Sequence, residues 1–190
     1  MNQSSHKIVF CNKFNLDINN FSHIEEFISF ESIETDRVLI KPGEVDRAVY
    51  FIVHGTGILY AVMDSGEVKN MYLQKQSTVI TSLVSILENL PSKYYIEILA
   101  GSVIAKLSID DFDLICQTNL DICNWQNDIL KKSVYHLSFR LEGLLMSNAK
   151  DRFIEYYKKD PELFTTSLKK HIAGVLGITP NSLSRILSAK

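Results

Sequence analysis

The chain has 190 residues, 46% hydrophobic and 22% charged, with a formal net charge of -2. That is enough apolar material for one large domain and one small one, and the whole-chain charge announces no nucleic acid. Three scattered cysteines, Cys11, Cys116 and Cys123, exclude a disulfide framework and point to a reducing compartment.

The charge is unevenly spread. From Lys150 onward there are eight Lys/Arg against four Asp/Glu, leaving twelve against eighteen before it. A basic end on an acidic body fits a DNA contact confined to that end. Residues 1–6 are polar, so a secretory leader is not expected, and no apolar run is long enough to span a bilayer. The expectation is a soluble cytoplasmic protein with no membrane partner.

In chain order, Phe14, Ile18, Phe21, Ile24, Phe27 and Ile28 fall near helical spacing and predict one or two short helices before about residue 30. From residue 32 to 107 the pattern changes to short β-rich runs at 37–40, 48–53, 58–63, 68–73, 94–99 and 102–107. Turn residues separate them, among them Lys41-Pro42-Gly43 and Asp64-Ser65-Gly66, the second reading as a hairpin turn. Regularly spaced short strands indicate an antiparallel sandwich or barrel. Between them, residues 78–89 carry Val79, Leu83, Val84, Ile86 and Leu87 and predict a short helix.

Beyond Leu107 the character is helical. Ser108 reads as an N-cap with Asp110 and Asp111 at the positive end of the helix dipole, and Phe112, Leu114 and Ile115 as the buried side. A long helix follows from about 120 to 147. Its Leu130, Val134, Leu137, Leu141 and Leu144 recur at spacings of four, three, four and three, a seam suited to pairing with a second copy. The alternative is that the seam packs on the β body. A further helix from about 149 to 159 stops before Asp160-Pro161.

Residues 167–190 read as two short helices around a tight turn, the pattern of a helix-turn-helix. Ala173 is small enough for close helix approach, Gly177 suits the left-handed exit, and Ile178 fills the space between the helices. Thr179 is a natural N-cap and Pro180 suits the first helical position. Leu183 and Ile186 face inward, which leaves Asn181, Ser182, Ser184 and Arg185 outward. Arginine can bond guanine edges or hold phosphate, and asparagine can read adenine. The competing reading is an ordinary helical hairpin.

This order of elements resembles the Crp/Fnr family of bacterial transcription regulators over nearly the full length. The resemblance rests on residues 172–187 (IAGVLGITPNSLSRIL) and, in the β body, on Lys41-Pro42-Gly43-Glu44, residues 49–55 (VYFIVHG) and residues 108–112 (SIDDF). It implies a cyclic-nucleotide-binding type of β-roll with an effector pocket inside, a homodimer, and recognition helices in successive major grooves. Two departures stand out. Cyclic-AMP-binding members carry a Gly-Glu pair and an Arg-Ser or Arg-Thr pair, whereas residues 79–95 here place Thr81-Ser82 and Ser92-Lys93 near those positions. Without the bidentate arginine, phosphate binding is weakened; Lys93 could act only as a point charge, and cyclic AMP is disfavoured. The chain also ends soon after the recognition helix, so the family's β-hairpin wing is not expected. Pro180 stands where a contacting side chain often sits. DNA contact then leans on Arg185, Asn181, Ser182, Ser184 and Thr179, with the basic Lys169, Lys170 and Lys190.

Other motifs carry less. Gly55-Thr56-Gly57 is followed by a strand, so it reads as a turn and not a phosphate loop. The histidines at 6, 23, 54, 136 and 171 show no metal spacing, so a cupin-like metalloenzyme is disfavoured. An iron–sulfur site like that of sensing relatives needs a cysteine cluster that Cys11 does not have. Cys116 and Cys123 read as half-buried packing, and Trp125 as core.

The expected fold is α+β: an antiparallel β-roll with flanking helices over 1–119, a long connecting and dimerisation helix over 120–147, and a short wingless helix-turn-helix over 148–190. The expected function is a sequence-specific, non-enzymatic DNA-binding regulator with an altered effector pocket and no assigned cofactor or metal. Its expected partners are duplex DNA, a second copy, RNA polymerase and an unidentified small effector. The alternative is a ligand-binding or protein-interaction module whose helix-turn-helix does not bind DNA.

Overall fold

The computed structural model describes residues 3–159, 161, 164 and 169–188. Helix α1 (Gln3–Phe14) and the single turn α2 (Ile18–Phe21) open the chain. The Asp17 carboxylate caps α2 by accepting from Asn19 N at 2.7 Å. Strand β1 (Ser29–Ile33) starts earlier than the β pattern suggested. It is an edge strand whose Ser29, Glu31 and Ser32 are exposed or nearly so, and such a strand lacks the apolar alternation that marks a half-buried one.

Strands β2 (Arg37–Ile40), β3 (Ala48–His54), β4 (Thr56–Val62), β5 (Val68–Lys75), β6 (Thr78–Ile80), β7 (Tyr95–Ile98) and β8 (Ser102–Ser108) complete two antiparallel four-stranded sheets. Their orders are β1-β8-β3-β6 and β2-β7-β4-β5. The sheets form an antiparallel roll. Helix α3 (Leu83–Glu88) is shorter than the segment predicted, because residues 78–80 pair with β3 instead. Leu83 and Leu87 on it are 55% and 76% exposed.

The β3–β8 pair carries both cores, one on each face. Tyr50, Ile52 and Ile104 point between the sheets and meet Ile40, Leu59, Ile96 and Ile98 of the second sheet. Val49, Phe51, Ala105 and Leu107 point the other way, onto Phe10, Phe14, Phe112 and Trp125 of the helices. Each fully buried Ile or Phe contributes about 1.5–3 kcal/mol relative to exposure. Burial on both faces is why β3 reads as a continuous apolar run.

Helix α4 (Ile109–Thr118) begins at the expected cap, where Ser108 Oγ accepts from Asp110 N at 3.2 Å. Phe112 and Ile115 are buried, but Leu114 is 57% exposed, contrary to expectation. Its neighbours at three- and four-residue spacing, not Leu114, form the inner face. Helix α5 (Leu120–Met146) starts from Asn119, whose side chain accepts from Ile122 N at 3.0 Å. Trp125 Nε1 donates to Phe14 O at 2.9 Å and pins the foot of α5 to α1.

Helix α6 (Ala149–Lys159) is followed by α7 (Lys169–Val175) and α8 (Pro180–Ser188). Their own small core is Phe153, Ile172, Ala173, Leu176 and Leu183, flanked by Ile178 and Ile186. Among the described residues no helix is long and apolar enough to cross a membrane.

Candidate nucleic-acid interface

Helix α7 leaves through Gly177 at φ +69°, a conformation that favours glycine. The chain then enters α8 at Thr179, whose Oγ1 accepts from Ser182 N at 3.2 Å. Leu183 is fully buried and fixes which side of α8 faces the core. Asn181, Ser184 and Arg185 are exposed on the opposite side, as is Thr179 beside them. Ser182 departs from the outward reading. It is half-buried on the flank, with its hydroxyl 3.0 Å from that of Thr179. Both hydroxyls therefore serve the cap first. Ser188 shares the exposed face one turn beyond Arg185 and donates to Arg185 O at 3.1 Å. The i+7 spacing from Asn181 is the signal that locates it.

Lys169 and Lys170 are exposed in the first turn of α7. Lys190 and the segment 165–168 lie outside the described residues. Lys159 is engaged elsewhere, its Nζ 3.8 Å from the Phe139 ring centroid and 4.8 Å from that of Tyr135.

Two arginines tie the end of α7 to its neighbouring helices. Arg152 on α6 donates from Nε to Leu176 O at 2.9 Å, and from Nη1 to Gly143 O at 3.4 Å and to Ser147 O. Arg140 on α5 donates to Val175 O. These guanidinium donors satisfy carbonyls at the C-terminal ends of α5 and α7, where helices leave acceptors unpaired.

On α5 the seam faces solvent. Leu130, Val134, Leu137, Leu141 and Leu144 are 53%, 60%, 38%, 57% and 40% exposed. A different side of the helix, through Ile122, Trp125 and Ile129, meets the body. The seam therefore does not pack on the β body within the chain.

The residues nominated for an effector pocket are engaged internally. Thr81 Oγ1 donates to Ala48 O at 2.7 Å. Buried Ser82 lies 2.9 Å from Ser85 Oγ, which also donates to Leu90 O at 2.9 Å. Ser92 Oγ accepts from Tyr94 N at 3.1 Å, and its backbone is stitched to Gly43 and Glu44. Lys93 is exposed. Arg47 reaches across to Ser85 O and Ile86 O at 3.3 and 2.8 Å while bonding Asp110 at 2.6 Å. That pair holds the Asp110 carboxyl below its usual range. Between the sheets, aliphatic packing closes the space around Gly57, while a cavity of about 270 Å³ remains among β1, β2, β3 and β8, lined in part by Glu31, Arg37, Asp46, Tyr50, Ile104 and Lys106. A Cβ added at Gly57 would stand 2.9 Å from Ile52 Cδ1 and 3.0 Å from Ile98 Cδ1.

No protein-family model and no curated protein sequence matches the chain. Solved structures do. FixK2 from Bradyrhizobium japonicum superposes with a TM-score of 0.71 at 17% identity, over 85% of this chain and 83% of its own. The c-di-GMP-responsive global regulator CLP from Xanthomonas campestris gives 0.68 at 14% identity, over 91% of each chain. DNR from Pseudomonas aeruginosa gives 0.57 at 16% identity, over 100% of this chain and 88% of its own. The chain has the Crp/Fnr-type fold. At these identities the likeness is one of fold. The Crp/Fnr-type order of roll, long helix and helix-turn-helix runs through this one chain.

Proposed function

We propose that this chain is a homodimeric, sequence-specific DNA-binding transcription regulator of the cytoplasm, with no catalytic role. The observation that carries the reading is the division of α8. One side buries Leu183, and the other offers Asn181, Ser184 and Arg185 to solvent at major-groove spacing. Lys169 and Lys170 supply phosphate contacts, and the seam of α5 supplies the second copy. RNA polymerase is the further partner that such a regulator implies.

In this reading the roll does not take cyclic AMP. The hydroxyls of Thr81, Ser82 and Ser92 sit beside protein partners, and no arginine stands at Ser92-Lys93. The similar solved structures include a c-di-GMP-responsive global regulator and the transcriptional regulator DNR, which supports a regulator without naming its effector.

Salt dependence tests the reading. Anisotropy titration of a selected duplex between about 50 and 200 mM salt should show affinity falling steeply and linearly on logarithmic axes. An interaction module that does not bind DNA would give no saturable signal at low salt.

A further inference from the structure

Among the described residues, the helix-turn-helix, the DNA reader of this proposal, meets the β-roll closely at β5. On β5, the ladder pairs Leu59 with Tyr72 and Tyr60 with Asn70, so Met71 is an extra residue and the strand bulges there. A bulge turns its neighbouring side chains away from the ordinary alternation. Asn70, 8% exposed, meets α7: Nδ2 donates to Lys170 O at 3.3 Å, and Oδ1 lies 3.4 Å from His171 Nδ1. Gly174, one turn further along α7, leaves the room this needs. A Cβ there would stand 2.6 Å from Asn70 Cβ and 2.7 Å from Nδ2. Next to it, Tyr72 carries Arg140 over its ring at 5.4 Å, and Arg140 is the arginine that donates to Val175 O. Met71 and Tyr72 also pack against the core between the sheets. The bulge thus touches the interior of the roll on one side and the first helix of the reader on the other.

We propose that Asn70 is a positioning residue for DNA reading: with Gly174 opposite, it locks α7 to the bulge of β5 and so sets where α8 stands relative to the dimer helix. This rests on the DNA-binding reading above. In a homodimer, the lock on each copy fixes the separation of the two recognition helices, which must match half-sites a whole number of turns apart.

The test uses the full chain with Gly174→Ala, the pair Asn70→Gly/Gly174→Ala, and Asn70→Ala, which removes both polar contacts and adds no atom. Two readouts are taken: amide hydrogen exchange over α7, and the ratio of affinities for duplexes with half-sites at the selected spacing and shifted by about 5 base pairs, half a turn. Alanine is the better helix former, so propensity alone would slow exchange in Gly174→Ala. The lock predicts faster exchange over α7, by roughly tenfold, and collapse of the spacing ratio to within about twofold, and the pair, which relieves the clash but also lacks the Asn70 contacts, restores neither. Asn70→Ala moves both in the same direction and carries the test if Gly174→Ala does not fold. Unchanged exchange in both single variants overturns the lock. Faster exchange with an intact spacing ratio overturns the positioning role. A wild-type chain that binds no duplex overturns the regulator reading and the positioning role together, while exchange still reports on the lock.

Discussion

Asn181 and Arg185 stand one helical turn apart on the exposed side of α8, opposite the fully buried Leu183. Two side chains at this spacing project together and can reach neighbouring base pairs from one groove. Replacing Arg185 by Ala should therefore cost about 1–3 kcal/mol of binding and relax specificity at one operator position. Competition anisotropy against single-base operator variants measures both. A variant that matches wild type on every duplex would remove Arg185 from the reader.

The exposed seam makes a prediction about assembly. Leu137 is the least exposed seam residue, at 38%, and lies midway along it. Leu137→Glu would place two like charges in the paired interface while leaving the fold of the single chain intact. Sedimentation should show a wild-type dimer and a monomeric variant with unchanged helical circular dichroism. A wild-type monomer, or a variant that remains dimeric, would count against pairing through α5.

Burial holds the His171 imidazole below the ordinary histidine value of 6.5, with Lys170 adding to the effect and Asp36 opposing it; Asn70 is the neutral group in contact. The folded state therefore binds its proton less readily than the unfolded state. Stability should fall as pH drops through 6.5 toward the depressed folded-state value, and be fully lost from this source below that value. His136 shifts the same way, through burial and then Lys159. Urea midpoints taken from about pH 7.5 to about 5 in wild type, His171→Gln and His136→Gln separate the two shares. A wild-type slope retained in full by His171→Gln would contradict this account.

Much of this was legible in the sequence, and the exceptions have physical causes. The strands over 37–40 and 48–54 announce themselves through apolar runs ended by turn residues, and α6 stops at Lys159 just before Asp160-Pro161. Strand β6 has only three residues, too few to show a period, and its Val79 reads equally well as helix. The joint between Asn70 and Gly174 was not seen. A polar residue on a strand reads as a solvent face until the fold brings α7 against it, and a glycine inside a helix signals close approach without naming the partner. The reach of Arg140 and Arg152 to α7 is hidden for the same reason: Val175 O lies 35 residues from Arg140 and Leu176 O 24 residues from Arg152.

Cyclic AMP should leave the protein unchanged. The hydroxyls near the family's phosphate position have internal partners, and no arginine stands at Ser92-Lys93. A ligand that binds the folded state raises the melting temperature by mass action. Thermal unfolding at saturating cyclic AMP should show no shift, and a saturable upward shift would reopen the roll as a nucleotide site.

The most direct test of the central claim is selection of duplexes from a random pool by the 190-residue chain, followed by sequencing. The account predicts enrichment of a two-fold symmetric motif whose half-sites lie about one helical turn apart, at 10–10.5 base pairs, and loss of that motif with Arg185→Ala. A pool that emerges without a shared motif, at salt low enough to retain nonspecific binding, would contradict it.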